Sequence, residues 1–438
     1  MIKSNNIFLR KGYGEGKMNK KEKKQEIRYF CIASAALMFF AAFMFDSPSE
    51  IMQGMKKIIL ARGVLVTDYF ELAGYGAGFF NAACMMVIAM VCISGVKLPY
   101  TGLTVAAVFC SAGFGFWGKN PVNVAPIILG TWIYAKVHQA NFARYVYTAV
   151  FAACLAPFVT EFAYVLPFSP ILNVIMAGIL GMVIGFVIPP LAVHTSTMHM
   201  GYSLFNVGFA GGTLGFIIYS IMKSLGVQCQ TVMIWKEGVH PWVSMGLLIY
   251  FVGTFLVGMF IEELNYIGFY KITRHSGRAV ADFIMMDGRG NTLMNMGVMG
   301  LAAELYILCI GGDLSGPMVG SILTLFGFSA FGAHIKNYLP VLTGVVLAVL
   351  FMTPELTDVG MQIAAIFVVG VAPIAGEFGV LAGIISGMLH VAIVMSTSQM
   401  YAGLNLYNNG FSTGWVAIFM IPFLESFMRR FGRKNRVR

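Results

Sequence analysis

Apolar residues in this chain come in long unbroken runs rather than in the half-polar patterns of a soluble fold. The runs fall at roughly 29–46, 76–96, 101–117, 123–137, 142–160, 171–192 and 203–222. A second set falls at roughly 243–261, 291–311, 315–331, 337–352, 359–376, 380–396 and 403–424. A bilayer core about 30 Å thick takes about 20 helical residues to cross, so the longer runs predict membrane-spanning helices. Runs of about 15 residues rise only about 22 Å and predict broken, half-length or re-entrant helices. The pattern predicts an all-α polytopic membrane protein with two sets of about seven hydrophobic segments.

The second set repeats the first. A shift of 214 positions lays Asn81 on Asn295, Gly102 on Gly316, Gly113-Phe114 on Gly327-Phe328, Gly118 on Gly332, Asn123 on Asn337, Pro126 on Pro340 and Gly130 on Gly344. Copies with an odd number of crossings face opposite ways, so the halves read as inverted-topology repeats, which in many transporters place a solute pathway at the pseudo-twofold axis. The organisation expected is a basic segment 1–28, a membrane repeat 29–222, a connector 223–242, a second repeat 243–424 enclosing a loop at 262–290, and a basic tail 425–438.

Composition agrees, since 58% hydrophobic and 11% charged residues exclude a water-soluble globule. The net charge of +10 collects at both ends and in the central loop at Lys271, Arg274, Arg278 and Arg289. The positive-inside rule places these segments, and both termini, on the cytoplasmic side of the cell membrane. Lys56, Lys57, Arg62, Lys119, Lys223 and Lys236 are left for the opposite face. The basic balance therefore reports topology and calls for no nucleic acid. The first run has no small-x-small cleavage site and has a repeat partner near 243–260, so it reads as a retained span. Six of the seven cysteines lie in apolar runs, no Cys/His ligand spacing occurs, and no metal or cofactor is expected. His194 and His199 stand at i and i+5, off a shared helical face.

Four breaks interrupt the apolar runs: "GFWGKNPVNVAP" with its counterpart "SAFGAHIKNYLP", and "HTSTMHMGYSLFNVGFAGG" with "STSQMYAGLNLYNNGFSTG". Irregular backbone at membrane depth survives only inside protein or beside a water-lined cavity, so a solute is sought there. Three paired motifs carry polar groups. Asn123 and Asn337 stand three residues before a proline, where a carboxamide can cap a helix or meet a solute. A-P-x-x-x-E-F recurs with Glu161 and with Glu377. Thr195-Ser196 followed by Phe205-Asn206 recurs as Thr397-Ser398 followed by Tyr407-Asn408, hydroxyls, amides and rings suited to a small polar or anionic guest near a helix N-terminus. Glu304 and His390 have no ionisable counterpart in the first repeat and are the candidates for carrying a proton.

The pattern G-x-x-x-[FY]-N, at Gly201–Asn206 and Gly403–Asn408, resembles the G-L-x-G-[FY]-N element of urea transporters, and Asn120-Pro121 is similar to their N-P-L. That resemblance covers about a quarter of each half. It implies an inverted duplication with a narrow pore and a symmetric oligomer, and it implicates Asn206, Asn408, Phe205 and Tyr407. The chain departs from it in an additional span per half, in His334-Ile335 at the second N-P position, and in a long insertion between the motifs. Over its whole length the chain is most similar to a domain-of-unknown-function family of duplicated membrane proteins. The function expected is a channel or transporter for a small polar solute. Two other readings remain: a proton-coupled transporter of a small anion or nucleobase-like solute, and a membrane subunit of a redox complex carrying flavin. For the last, Ser412-Thr413-Gly414 departs from the S-G-A-T attachment setting. No P-loop, HExxH or nucleophile–base spacing points to an enzyme.

Overall fold

The computed structural model describes residues 26–62, 66–229 and 232–431. The basic stretch before Glu26 and the residues after Phe431 lie outside the described residues. The first half runs α1 (Glu26–Phe45), α2 (Pro48–Leu60), α3 (Tyr69–Ala73), α4 (Tyr75–Gly95), α5 (Gly102–Phe114), α6 (Pro121–Val137), α7 (Val146–Ala152), α8 (Ala156–Val165), α9 (Pro170–Met198) and α10 (Asn206–Ser224). The second runs α11 (Pro241–Ile261), α12 (Ile267–Ile272), α13 (Phe283–Met286), α14 (Arg289–Cys309), α15 (Gly316–Phe328), α16 (Ile335–Ala348), α17 (Val359–Phe367), α18 (Ala372–Phe378), α19 (Val380–Thr397) and α20 (Asn408–Phe431). Among the described residues the only strands are β1 (Val66–Thr67) and β2 (Met233–Ile234), which pair in parallel.

Among the described residues, ten stretches are long and apolar enough to cross a membrane, five in each half. Two of them, Val146–Val165 and Val359–Phe378, are interrupted by a 3-10 turn ahead of Pro157 and Pro373. The short runs are short helices: α5 and α15 have 13 residues each, and α6 and α16 have 17 and 14. The fold is thus an all-α polytopic assembly of two repeats with broken and half-length helices. The segment 47–62 supplies α2, an amphipathic helix with Pro48 at its start and a capping box between Ser47 and Glu50.

Contacts sort the turns into two ends. At one end Asp68 meets Gly316 and Lys236 of the connector, and Trp117 pairs with Asp68. At the other end Asp282 meets Gly102 and Leu103, Phe331 pairs with Asp282, and the central loop reaches Met200 and Gly201. The equivalent helices α4 and α14 follow Asp68 and Asp282, which lie at opposite ends, so the second half runs opposite to the first.

Glycine lets the halves meet. A Cβ on Gly113 would lie 2.3 Å from the carbonyl oxygen of Gly320, and one on Gly320 would lie 2.1 Å from that of Gly113, so α5 and α15 cross backbone to backbone. A Cβ on Gly208 would sit 3.0 Å from Cα of Gly410, where α10 crosses α20. These two crossings define the pseudo-twofold axis.

Candidate functional site

The four breaks pair across the halves about that axis, the first break of each half lying beside the second break of the other. The Leu204 N–H donates to the Gly370 carbonyl at 2.9 Å, and the Leu406 N–H donates to the Cys154 carbonyl at 3.1 Å. Leu204 and Leu406 belong to the second break of each half, and Gly370 and Cys154 to the 3-10 interruptions of the other half's broken span. Unwound backbone at membrane depth is thereby satisfied by protein. Gly118 and Gly332 turn the first breaks with φ of +76° and +95°, and they pack against Leu406 and Leu204 of the other half.

Six rings fill the junction. Phe205 packs on Phe328 and Tyr407 at ring-centroid distances of 4.8 and 5.0 Å, and Tyr407 packs on Phe114 at 5.0 Å. Phe367 touches Phe114, Phe205 and Tyr407, and Phe151 touches Phe328. Phe114 is the repeat partner of Phe328, Phe205 of Tyr407, and Phe151 of Phe367. All six are buried. Together they form one aromatic plug at the junction.

The amides beside the plug serve the fold. Asn206 Oδ1 accepts from Thr195 Oγ1 at 2.8 Å and from His199 Nε2, while its Nδ2 donates to the Ala192 carbonyl. Asn408 repeats the pattern with Thr397 Oγ1 at 2.7 Å, the Tyr401 hydroxyl and the Val394 carbonyl. Ser196 returns its hydroxyl to the Val193 carbonyl, and Ser398 opens a 3-10 turn. Asn123 and Asn337 both close a capping box and donate to the carbonyls of Gly118 and Gly332. The structure therefore brings Phe205, Tyr407, Asn206 and Asn408 together at two helix N-termini, with each carboxamide already bonded.

The A-P-x-x-x-E-F carboxylates stand at opposite ends. Glu161 is fully buried and takes two hydrogen bonds from Arg62, which raise the guanidinium pKa further. Glu377 is exposed. The arginine facing that end, Arg278, instead donates to the Met200 carbonyl at 2.7 Å and lies over the Tyr202 ring at 4.5 Å. Glu304 lies between α14 and α11, where Oε1 accepts from Ser244 at 2.9 Å and Oε2 has no partner. His390 bridges α19 to α20 through Asn409 and Ser412, and Thr413 bonds the Gly410 carbonyl and Ser203.

Several participants carry signals that motif reading passed over. Asp68 and Asp282, 214 positions apart, each lend a carboxylate to the N-terminus of the other half's short helix: Asp68 to Gly316, Asp282 to Gly102. Burial pushes the Asp68 carboxyl up to about 6, against the pull of the N–H groups that it accepts. Lys119 corrects the charge map. Counted among the charges of the opposite face, it is 1% exposed inside the first break, where Asn81 Nδ2 holds the Gly115 and Lys119 carbonyls at 2.6 and 2.8 Å. Asn295 holds Ser329 and Ala333 in the same way.

A duplicated, all-helical membrane protein with its chain breaks gathered at one axis is the class that this architecture defines. The chain belongs to the family described as "Protein of unknown function (DUF1576)", matched over residues 47–224 and 262–426, once for each half. No curated protein and no solved structure matches the chain. The likeness to urea transporters thus rests on the two short motifs and is not shown by these comparisons.

Proposed function

We propose that the protein is a channel or transporter, and not an enzyme, that moves a small polar solute between its inverted halves. The carrying observation is the reciprocal pair of backbone bonds, Leu204 to Gly370 and Leu406 to Cys154, which ties the second break of each half to the broken span of the other. Breaking helices inside a bilayer is costly, and transporters accept the cost where half-helices must line a site. The six-ring plug makes this conformation a closed one. Passage then requires Phe205 and Tyr407 to move apart.

The test is stopped-flow light scattering on proteoliposomes, with urea, glycerol and potassium salts as solutes, comparing the wild type with a Phe205→Ala/Tyr407→Ala variant. Flux above empty liposomes in either protein supports the reading, with the variant faster by about tenfold if the rings supply a barrier of about 1.4 kcal/mol. Flux in neither protein, from vesicles shown to hold folded protein, ends it. A second reading, proton coupling, draws on the unpartnered Oε2 of buried Glu304. Under it, uptake follows an imposed pH gradient and Glu304→Gln removes that dependence.

A further inference from the structure

We infer that the solute is a small monovalent anion and that Lys119 is its counter-charge, a deepening that rests on the pathway reading above. Four observations converge on this residue. Its side chain is 1% exposed at a helix break, where an ammonium is costly unless compensated. Among the described residues no carboxylate forms an ion pair with it. The one hydrogen bond from its three donors is a long one, 3.5 Å to the Val150 carbonyl. It lines a small cavity together with Ser111, Met85, Val124 and Ile128, of about 10 Å³ and room for about one water in this closed conformation, so a formate-sized anion is seated only once the plug rings move.

Position ties the charge to the pathway. Nζ lies 5.2 Å from the ring centroid of Phe114, and Phe114 packs on Tyr407 in the plug. The helix starting at Pro121 adds its positive end directly after Lys119. Its first N–H groups are taken by Asn120 and Asn123, so the ammonium is the donor left for a ligand. A single positive charge matches a monoanion and leaves a dianion half-neutralised. The other walls are apolar apart from Ser111, which favours a small anion without hydroxyls, such as formate, over a bulky polyhydroxylated one. Ala333 occupies the equivalent place in the second half, which therefore lacks this charge.

Two measurements test this. In proteoliposomes with valinomycin, volume change is driven by potassium formate, potassium gluconate or urea. Formate should exceed gluconate by about tenfold in the wild type, Lys119→Met should lose that excess, and Lys119→Arg should keep most of it. Separately, sodium formate should raise the unfolding temperature of detergent-solubilised wild type above that in sodium gluconate at equal ionic strength, and Lys119→Met should abolish the increment. Flux of urea without formate upholds the pathway and overturns the anion. Flux of no solute in any variant ends the pathway reading, and the formate-dependent stabilisation then decides the anion site alone. Formate flux unchanged in Lys119→Met overturns the role of Lys119. Should Lys119→Met fail to fold, absence of formate stabilisation in the wild type overturns the site.

Discussion

At equivalent turns of the two halves Lys119 stands opposite Ala333, and Asn120 opposite His334, while the residues that build those turns are the same: Asn81 and Asn295, Gly118 and Gly332, Asn123 and Asn337. The comparison separates architecture from chemistry. Whatever shapes the backbone is repeated, down to the carbonyls held by each carboxamide. Three buried ionisable groups have no ionisable counterpart: Lys119, Glu304 and His390 face Ala333, Met90 and Ile188 at the matching positions, whereas Asp68 and Asp282, which cap helices, are repeated. A pore needing only shape could keep both halves alike. The asymmetry marks where a charged solute or a coupling ion would be met.

The strongest test of the shared architecture lies at the glycine crossings. Gly113→Leu and Gly320→Leu each drive a side chain into a facing carbonyl and should cost about 3 kcal/mol or more, leaving little monodisperse protein after extraction. Gly178→Leu and Gly253→Leu, where nothing lies within 4 Å, should extract like wild type. Equal behaviour of the two sets would break the inference that the halves meet backbone to backbone.

The two loop arginines come next in size. Arg62→Ala strands a buried Glu161 and should lower stability by about 3 kcal/mol, and adding Glu161→Gln should recover most of it. Arg278→Ala removes a carbonyl bond and a ring contact beside an exposed Glu377, and should cost about 1 kcal/mol. Thermal unfolding in detergent reads the difference, and equal losses would mean that the two ends are built alike.

Repeat, apolar segments and half-helices were legible in the chain because burial in lipid demands long apolar runs and the copies still align without gaps through the first break, although only five stretches in each half are long enough to span. The four breaks as the place to look were legible for the same reason, since polar residues and glycines interrupt those runs. The roles of the amides were harder to read: a carboxamide that caps, like Asn123, and one that meets a solute have the same sequence. The burial of Lys119 was unread because charge counting treats every lysine between runs as a loop residue, whereas Asn81, 38 positions earlier, holds that turn inward. The plug was unread for want of periodicity, since its rings come from three separate segments in each half. The Asp68 and Asp282 caps could have been found by extending the 214-residue shift upstream.

A smaller effect sharpens the division between shape and charge. Asn81→Ala and Asn295→Ala each leave two buried carbonyls without their donor and should cost similar stability, about 2 kcal/mol, if the halves are architecturally equal. Only Asn81 holds the carbonyl of Lys119, so only Asn81→Ala should also slow formate flux in folded protein. Slowing by both would assign the flux to the breaks in general and not to the charge.

Smallest of all is the exchange at the second breaks, where His199 in one half and Tyr401 in the other present a ring donor to Asn206 and Asn408. Either ring satisfies the same carboxamide oxygen, so His199→Tyr should change stability by less than about 1 kcal/mol, whereas His199→Ala, which leaves a cavity, should cost about 2 kcal/mol. A Tyr variant as unstable as the Ala variant would show that imidazole is required, through the 3.2 Å bond that its Nδ1 accepts from Gly201, a bond that a phenol cannot replace. His199 would then join the residues that set the first half apart from the second.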